Sequence, residues 1–323
     1  MSVETKTLNV KYLDAVLEMA LENYNMEKTK VDSLKELDKS FFSDRLYKLL
    51  SEGIGSIAIE NGDIVGYLIF HVDTEHQYAV SPIYGYGINH IKRGEIISRL
   101  FQDTATILGE QYCKDLCVNV YAHDIEVLKT YIMSAFVMDT TNVIRNTEQA
   151  INTNNITEYT FREIDKAELL DYKEDVIGFY RNLINHLRES PIFYPCNEFL
   201  PIEERFSDFL ANDIRVFAVF DKAKLIGMVI SEPSDIAIAA NDKYALNLSD
   251  LFIAPDYRRN NIGTALLAFA NNELRRSGVQ RLYVTHGTIN PTARGFWDKY
   301  FQNYSFSMTR QINPEMLGKI QKV

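Results

Sequence analysis

The chain is poor in cysteine, glycine and proline. Its three cysteines, Cys113, Cys117 and Cys196, are too few for a disulfide framework. Fifteen Gly and eight Pro in 323 residues exclude collagen and long linkers. No apolar run approaches the roughly 18 residues of a membrane span, so no membrane association is expected. The opening stretch MSVETKTLNVKYLDAV has no basic segment followed by an apolar one, so no secretory signal is expected and a cytoplasmic location is. Cys113 and Cys117 could sit one helical turn apart, but no CxxC or paired His accompanies them. Buried thiols are expected there, and no metal. Positive charge is also short, with 34 Lys and Arg against 44 Asp and Glu, a net charge of -10. That disfavours nonspecific nucleic-acid binding and admits a cationic or amine-bearing small substrate. What remains is ordinary globular composition, 46% apolar and 24% charged, over a length that suits about two domains.

The two domains read as copies of one plan. Residues 56–70 (SIAIENGDIVGYLIF) and 217–231 (FAVFDKAKLIGMVIS) each hold an apolar run, a short polar turn and a second apolar run, with Gly66 and Gly227 in register. Both suit β-hairpins, with turns at Asn61-Gly62-Asp63 and Lys222-Ala223-Lys224. Further on, residues 116–136 lie over 282–302 without a gap, so that Leu116 meets Leu282, Val118 meets Val284 and Tyr131 meets Trp297. The hairpins are offset by 161 residues and this second match by 166. Between the copies the polar stretch NTEQAINTNN, residues 146–155, reads as a linker. Each copy opens with apolar residues at helical spacing, over 11–24 and 166–186, and then runs hairpin, strand, helix, strand, helix. The order implies an α+β or α/β fold of two tandem domains, each with helices packed on a mixed sheet; the α+β form, two tandem domains each a mixed, mostly antiparallel sheet flanked by helices, is the one expected. The boundaries expected are 1–148, a linker at 149–155, and 156–323.

Residues 245–278 carry the chemistry. ALNLSDLFIAP reads as a strand ended by Pro255, PDYRRNNIG as a polar loop, and TALLAFANNELRR as an amphipathic helix with Leu266, Leu267, Ala270 and Leu274 on one face. Ser277-Gly278 supply the stop. A helix start has amide N–H groups without intrahelical partners and a positive dipole end, so an anion can sit there if the backbone is open to approach. Gly263 removes the side chain at that turn, Arg258 and Arg259 add charge, and Asn261 tolerates left-handed dihedrals. The same residues also suit an ordinary helix start with glycine for packing.

The stretch LFIAPDYRRNNIGTALLAFA resembles the acetyl-CoA motif of the GNAT N-acetyltransferase superfamily, Arg/Gln-x-x-Gly-x-Gly/Ala after a strand. The motif falls on Arg258, Asn261 and Gly263, with Asn261 replacing the first glycine. A second family signature, Asn, then Ala three residues on, then an aromatic pair, falls on Asn290, Ala293, Phe296 and Trp297. With the upstream helix and hairpin the resemblance extends over 156–312. It implies an N-acetyltransferase that moves an acetyl group from acetyl-CoA to a small-molecule or peptide amine. Main-chain groups of Leu251, Phe252 and Ile253 would pair with the pantetheine arm. Amides of Arg259, Asn260, Asn261, Ile262, Gly263 and Thr264 would hold the diphosphate. Asn290, Arg294 and Trp297 would line the coenzyme. Many family members place a Tyr at the Trp297 position to protonate the leaving thiolate. Indole is too weak an acid for that, which leaves Tyr300, Tyr304 or water. For the base that takes the amine proton, the candidates are Asp250 and His286.

In the N-terminal copy the 166-residue offset lays Lys92 on Arg258, Ile97 on Gly263 and Asp124 on Asn290. A β-branched residue at the turn would block a phosphate, so a degenerate copy without coenzyme is expected; the alternative is a shifted loop using Gly94. The segment 186–206, with Pro191, Pro195, Pro201, Phe193 and Tyr194, is the expected acceptor wall, and 231–245 its possible counterpart. A noncatalytic acyl-CoA-binding or scaffolding protein is the alternative function. A monomer or a homodimer would suit either reading.

Overall fold

The computed structural model describes residues 3–153, 156–194, 201–234 and 237–317. The chain divides into two compact units. Residues 1–142 together with 303–323 form the first, and residues 143–302 the second. This division is interleaved, because the last strand of the chain belongs to the first unit. A cut in the linker at 149–155 separates the chain differently.

In the first unit, β1 (Glu4–Thr7), α1 (Leu13–Lys28) and α2 (Lys39–Glu52) precede the hairpin β2 (Ile54–Glu60) and β3 (Asp63–Asp73). Asn61 and Gly62 both take positive φ, 54° and 93°, in the tight turn that joins them. Then come β4 (Tyr78–Ser81), β5 (Tyr86–Ile88), α3 (Arg93–Glu110), β6 (Asp115–Tyr121), α4 (Ile125–Met133) and β7 (Val137–Asn146). The second unit holds β8 (Thr160–Ile164), α5 (Lys166–Asp171), α6 (Lys173–Arg188), α7 (Ile202–Ala211), the hairpin β9 (Arg215–Asp221) and β10 (Lys224–Glu232), α8 (Ala237–Ala240), β11 (Ala245–Ile253), α9 (Ile262–Arg276), β12 (Arg281–Gly287) and α10 (Pro291–Trp297). β13 (Gln302–Gln311) is the last strand of the described chain and pairs antiparallel with β6 in the first unit.

Strand order in the first unit is β1-β2-β3-β4-β6-β13, followed by the first part of β7; β5 pairs with β3. In the second unit the end of β7 is followed by β12-β11-β10-β9-β8. Most pairs are antiparallel, and β4/β6 and β11/β12 are parallel. This is the mixed, mostly antiparallel sheet with flanking helices that was expected, and it settles the α+β form over the α/β one. In the second unit the sheet is packed on both faces. Val219, Leu248 and Leu282 meet Leu266, Leu267, Ala270 and Leu274 of α9. Met228, Ile230 and Phe252 meet Val176, Phe179 and Tyr180 of α6 with Phe206 and Phe209 of α7.

Two expectations are corrected. The helix expected over 166–186 is two, α5 and α6, broken at Tyr172, whose ring packs on Phe220 at 5.3 Å. Cys113 and Cys117 do not share a helix. Cys113 follows α3 and Cys117 lies in β6, both buried and free. Cys196, Pro195 and part of the expected linker lie outside the described residues.

Candidate functional site

The second unit opens where β11 leaves β12. The two strands pair over Ala245–Asn247 against Arg281–Tyr283 and no further, so the later main chain of β11 has no ladder partner on that side. On its other flank β11 keeps β10, with Ile230 opposite Ser249 and Met228 opposite Phe252. The two intervals differ by one residue, which makes a bulge at Asp250–Leu251 with Asp250 at φ 51°. The bulge turns the Asp250 side chain toward α6 and α7. One carboxylate oxygen, Oδ2, accepts from Tyr180 Oη at 2.6 Å and Arg205 Nη2 at 3.0 Å. Burial, with the Asp250 charge second, pushes the Tyr180 phenol well above its usual range, so it stays protonated and keeps donating.

Beyond Ile253 the loop reaches α9 through two left-handed residues, Arg259 at φ 66° and Asn261 at φ 59°. Asparagine enters that region more readily than most side chains, which is how it replaces a glycine here. The first intrahelical bond of α9 is Ala265 N to Asn261 O at 3.0 Å. The amides of Ile262, Gly263 and Thr264 precede it, and the Asn261 side chain does not cap them. Arg258 points back instead of outward: Nε donates to the Ile253 carbonyl at 2.8 Å and the guanidinium lies over the Phe252 ring. Arg259 and Asn260 are exposed. A Cβ built on Gly263 would lie 3.6–3.9 Å from Phe296, Ile253 and Leu251, ordinary contact distances. No protein neighbour demands glycine there. Thr264 Oγ1 and Tyr300 Oη are hydrogen-bonded at 2.8 Å at the helix start.

Asn290 caps α10, its Oδ1 accepting from the amides of Thr292 and Ala293 at 3.1 Å each. Arg294 donates to the Thr288 carbonyl at 2.9 Å. Trp297 is core, edge-on to Phe296 and Phe301. His286 is buried on the α9 side of the sheet with Leu282 and Val284, its Nε2 3.6 Å from Asp298 Oδ1. Burial holds its pKa below the ordinary value, which keeps it neutral at neutral pH. The structure therefore does not bring Asp250 and His286 together; they face different helices. Tyr304 is fully buried in the first unit, where its phenol is pushed up by burial. Of the two tyrosines, Tyr300 alone belongs to the unit that carries the motif. Sequence reasoning missed Tyr180, Arg205 and Ser249. Tyr180 and Arg205 are 70 and 45 residues from Asp250 in sequence and form no local pattern.

The first unit differs at the matching place. α3 starts at Arg93 as α9 starts at Ile262, so Gly94, not Ile97, is the second helical residue and the counterpart of Gly263. Ile97 is a fully buried core residue. The offset of 166 fails here because the connecting loops differ in length: four residues separate β5 from α3 and eight separate β11 from α9. Asp124 keeps its match with Asn290, each being the N-cap of the following helix.

Residues 180–301 match the sequence model of the Acetyltransferase (GNAT) family. No curated protein matches the chain significantly. Among solved structures, a GCN5-related N-acetyltransferase from Sphaerobacter thermophilus superposes with a TM-score of 0.56 at 12% identity, covering 97% of this chain and 96% of that one. A tandem GNAT protein from the clavulanic acid biosynthesis pathway gives 0.46 at 12% identity, covering 97% and 99%. A GNAT-family acetyltransferase from Colwellia psychrerythraea gives 0.44 at 13%, covering 96% and 100%. The first of these shows the fold over the whole chain, and the family match covers the stretch that carries the motif residues: residues 180–301 are similar to the acetyltransferases of the GNAT family.

Proposed function

We propose that the second unit transfers an acetyl group from acetyl-CoA to the primary amine of a small molecule or peptide. The observation that carries this reading is the mouth of α9, where main-chain amides without a capping side chain stand beside a glycine that no protein neighbour requires. That arrangement fits a diphosphate, with the amides from Arg259 to Thr264 as its donors. The pantetheine arm would lie along Leu251–Ile253, where β11 has left β12. Asn290 and Arg294, both held by main-chain groups, stand at the start of α10 beside it. Acetyl-CoA supplies the activated acetyl group; the chain supplies position. Main-chain N–H groups on the open side of β11 are placed to stabilise the oxygen that gains charge as an amine attacks. Trp297 cannot return a proton to the departing thiolate, and Tyr300 is the tyrosine left in this unit to do so.

We read the first unit as a copy of the fold that has lost its coenzyme. The support is an internal replacement of the ligand's partners. Arg93 Nε donates to Asp124 Oδ1 at 3.0 Å, and Arg93 Nη2 donates to Asn23 Oδ1 at 2.6 Å. The Ile88 amide donates to Asn23 Oδ1, and its carbonyl accepts from both Asn23 and Arg93. The strand edge that would take pantetheine is thus satisfied by side chains.

The test is a thermal shift with acetyl-CoA, followed by trapping of released thiol while primary amines are screened. A shift together with amine-dependent thiol release is expected. Absence of any shift overturns the coenzyme reading. A shift without thiol release for any amine favours the binding protein instead.

A further inference from the structure

The acceptor end of the same cleft is polar in a way that Asp250 does not explain. Residues paired across strands share a face. Glu232 of β10 lies opposite Asn247 of β11, Ile230 lies opposite Ser249, and Asn247 lies opposite Tyr283 of β12. Glu232, Asn247 and Ser249 therefore line one face, the face that α6 and α7 cover with Tyr180 and Arg205. They cluster where β11 and β12 stop pairing. Asn247 Oδ1 and Ser249 Oγ are buried and have no hydrogen-bond partner among the described residues. A buried carbonyl oxygen without a donor is costly, and an N–H donor from a ligand would relieve it. Glu232 lies opposite Asn247 in the strand register, which puts it on the same face, and its charge acts on both Tyr180 and Arg205. Among the described residues it holds no hydrogen bond or ion pair. Asp250, in contrast, already has an Arg205 guanidinium and a Tyr180 hydroxyl on one oxygen.

We infer that Glu232 receives the acceptor's amine, with Asn247 Oδ1 and Ser249 Oγ taking its remaining N–H groups, and that Asp250 only positions Tyr180 and Arg205. The inference rests on the acetyl-CoA reading of the second unit. The ligand class is a primary ammonium: one positive centre, three N–H donors, one carboxylate and two orphan oxygens to meet them. The ammonium first gives one proton to Glu232 and on to solvent, which frees the nitrogen lone pair to form the N–C bond; the nitrogen then becomes acidic and gives up a second proton, which ends on the departing sulfur. The C–S bond breaks with its electron pair on the coenzyme sulfur, which is then protonated.

The test uses the full chain crystallised with CoA and n-butylammonium chloride, together with thiol-release kinetics on acetyl-CoA and a panel of primary amines. The expected nitrogen position is within hydrogen-bond reach of Glu232 and Asn247 Oδ1. Glu232→Gln is expected to lower kcat/KM on the order of 10²-fold and to flatten the acidic limb of the pH–rate profile, while the acetyl-CoA-induced thermal shift stays. Asn247→Leu is expected to raise KM for the amine and leave the pH profile alone. Butylammonium bound elsewhere or not at all, an unchanged pH profile in Glu232→Gln, or no amine acetylated while CoA is bound, overturns the assignment of Glu232. CoA missing from the β11–β12 opening overturns the function itself.

Discussion

The two units begin the same helix in different company. At α9, the chain leaves the first amides uncapped behind an eight-residue loop with two left-handed residues. At α3, a four-residue loop brings in Arg93, and the Gly94 amide donates to Glu126 Oε2 at 3.2 Å. A carboxylate from the protein stands where an anion would. The two glycines also differ. A Cβ on Gly94 would lie 3.0 Å from Thr130 Oγ1, so this glycine serves the packing of α3 on α4. A Cβ on Gly263 meets nothing closer than 3.6 Å. The same element, with the same residue second in the helix, is thus internally satisfied in one unit and open in the other. The difference teaches that the start of one helix can be closed by side chains in one unit and left uncapped at the matching place in the other.

The largest effect should come from the glycines. Gly263→Val is expected to abolish the acetyl-CoA-induced thermal shift while the ligand-free protein keeps its fold. Gly94→Val should do the reverse: coenzyme binding persists, and overpacking against Thr130 lowers stability by about 1–3 kcal/mol. Equal loss of coenzyme binding in both variants would erase the distinction between the units. Next is Arg93→Met, which strips Asp124, only 7% exposed, of its guanidinium. Breaking a buried pair from one side costs about 3–5 kcal/mol. Denaturant unfolding should show that loss, and the coenzyme shift should survive.

Much of this contrast was legible in the sequence, and the reasons it was not fully so are physical. The Arg258–Gly263 loop and the Asn290 cap are local: helix starts, turns and left-handed positions are written in consecutive residues. The duplication was visible because hairpins and buried strands repeat with period two. The gap-free offset failed at α3 because the loop between strand and helix is four residues shorter in the first unit, so Gly263 was laid on Ile97 instead of Gly94. The partners of Asp250 were invisible for another reason. Tyr180 and Arg205 reach it only because α6 and α7 pack over a bulged strand, and neither bulge nor packing leaves a spacing to read. The transfer of the last strand to the first unit, which takes Tyr304 away from the candidate site, is likewise a matter of topology.

A smaller effect separates the units by pH. His286 in the second unit has its folded pKa below the ordinary 6.5 because burial disfavours its cation. Its contribution to stability is present above 6.5 and lost as pH falls toward the lowered value, since the unfolded chain takes up the proton first. Glu27 in the first unit shifts the other way: burial raises its pKa although His123 donates to it. Its contribution is present in acid and lost as pH rises through the folded value. His286→Asn should therefore flatten a rise of stability with pH just below 6.5, whereas Glu27→Gln should remove a fall that sets in as pH rises above 4.5. Stability curves of the two variants that run parallel in that window would sink the assignment of the acid-sensitive step to the second unit.

The smallest effect belongs to Arg259. Its backbone is left-handed and its side chain exposed, so whatever it adds to a diphosphate passes through water. Arg258, by comparison, is tied to the Ile253 carbonyl and acts on the loop's shape. Arg259→Ala should weaken acetyl-CoA binding about fivefold or less, as exposed charge pairs do. The difference from the parent should fade as salt is raised, because screening acts on exposed charges first. Titration calorimetry at two salt concentrations checks this. A large, salt-independent loss would mean that Arg259 holds the coenzyme directly in a dry site, and the main-chain amides of α9 would lose their place as the principal grip.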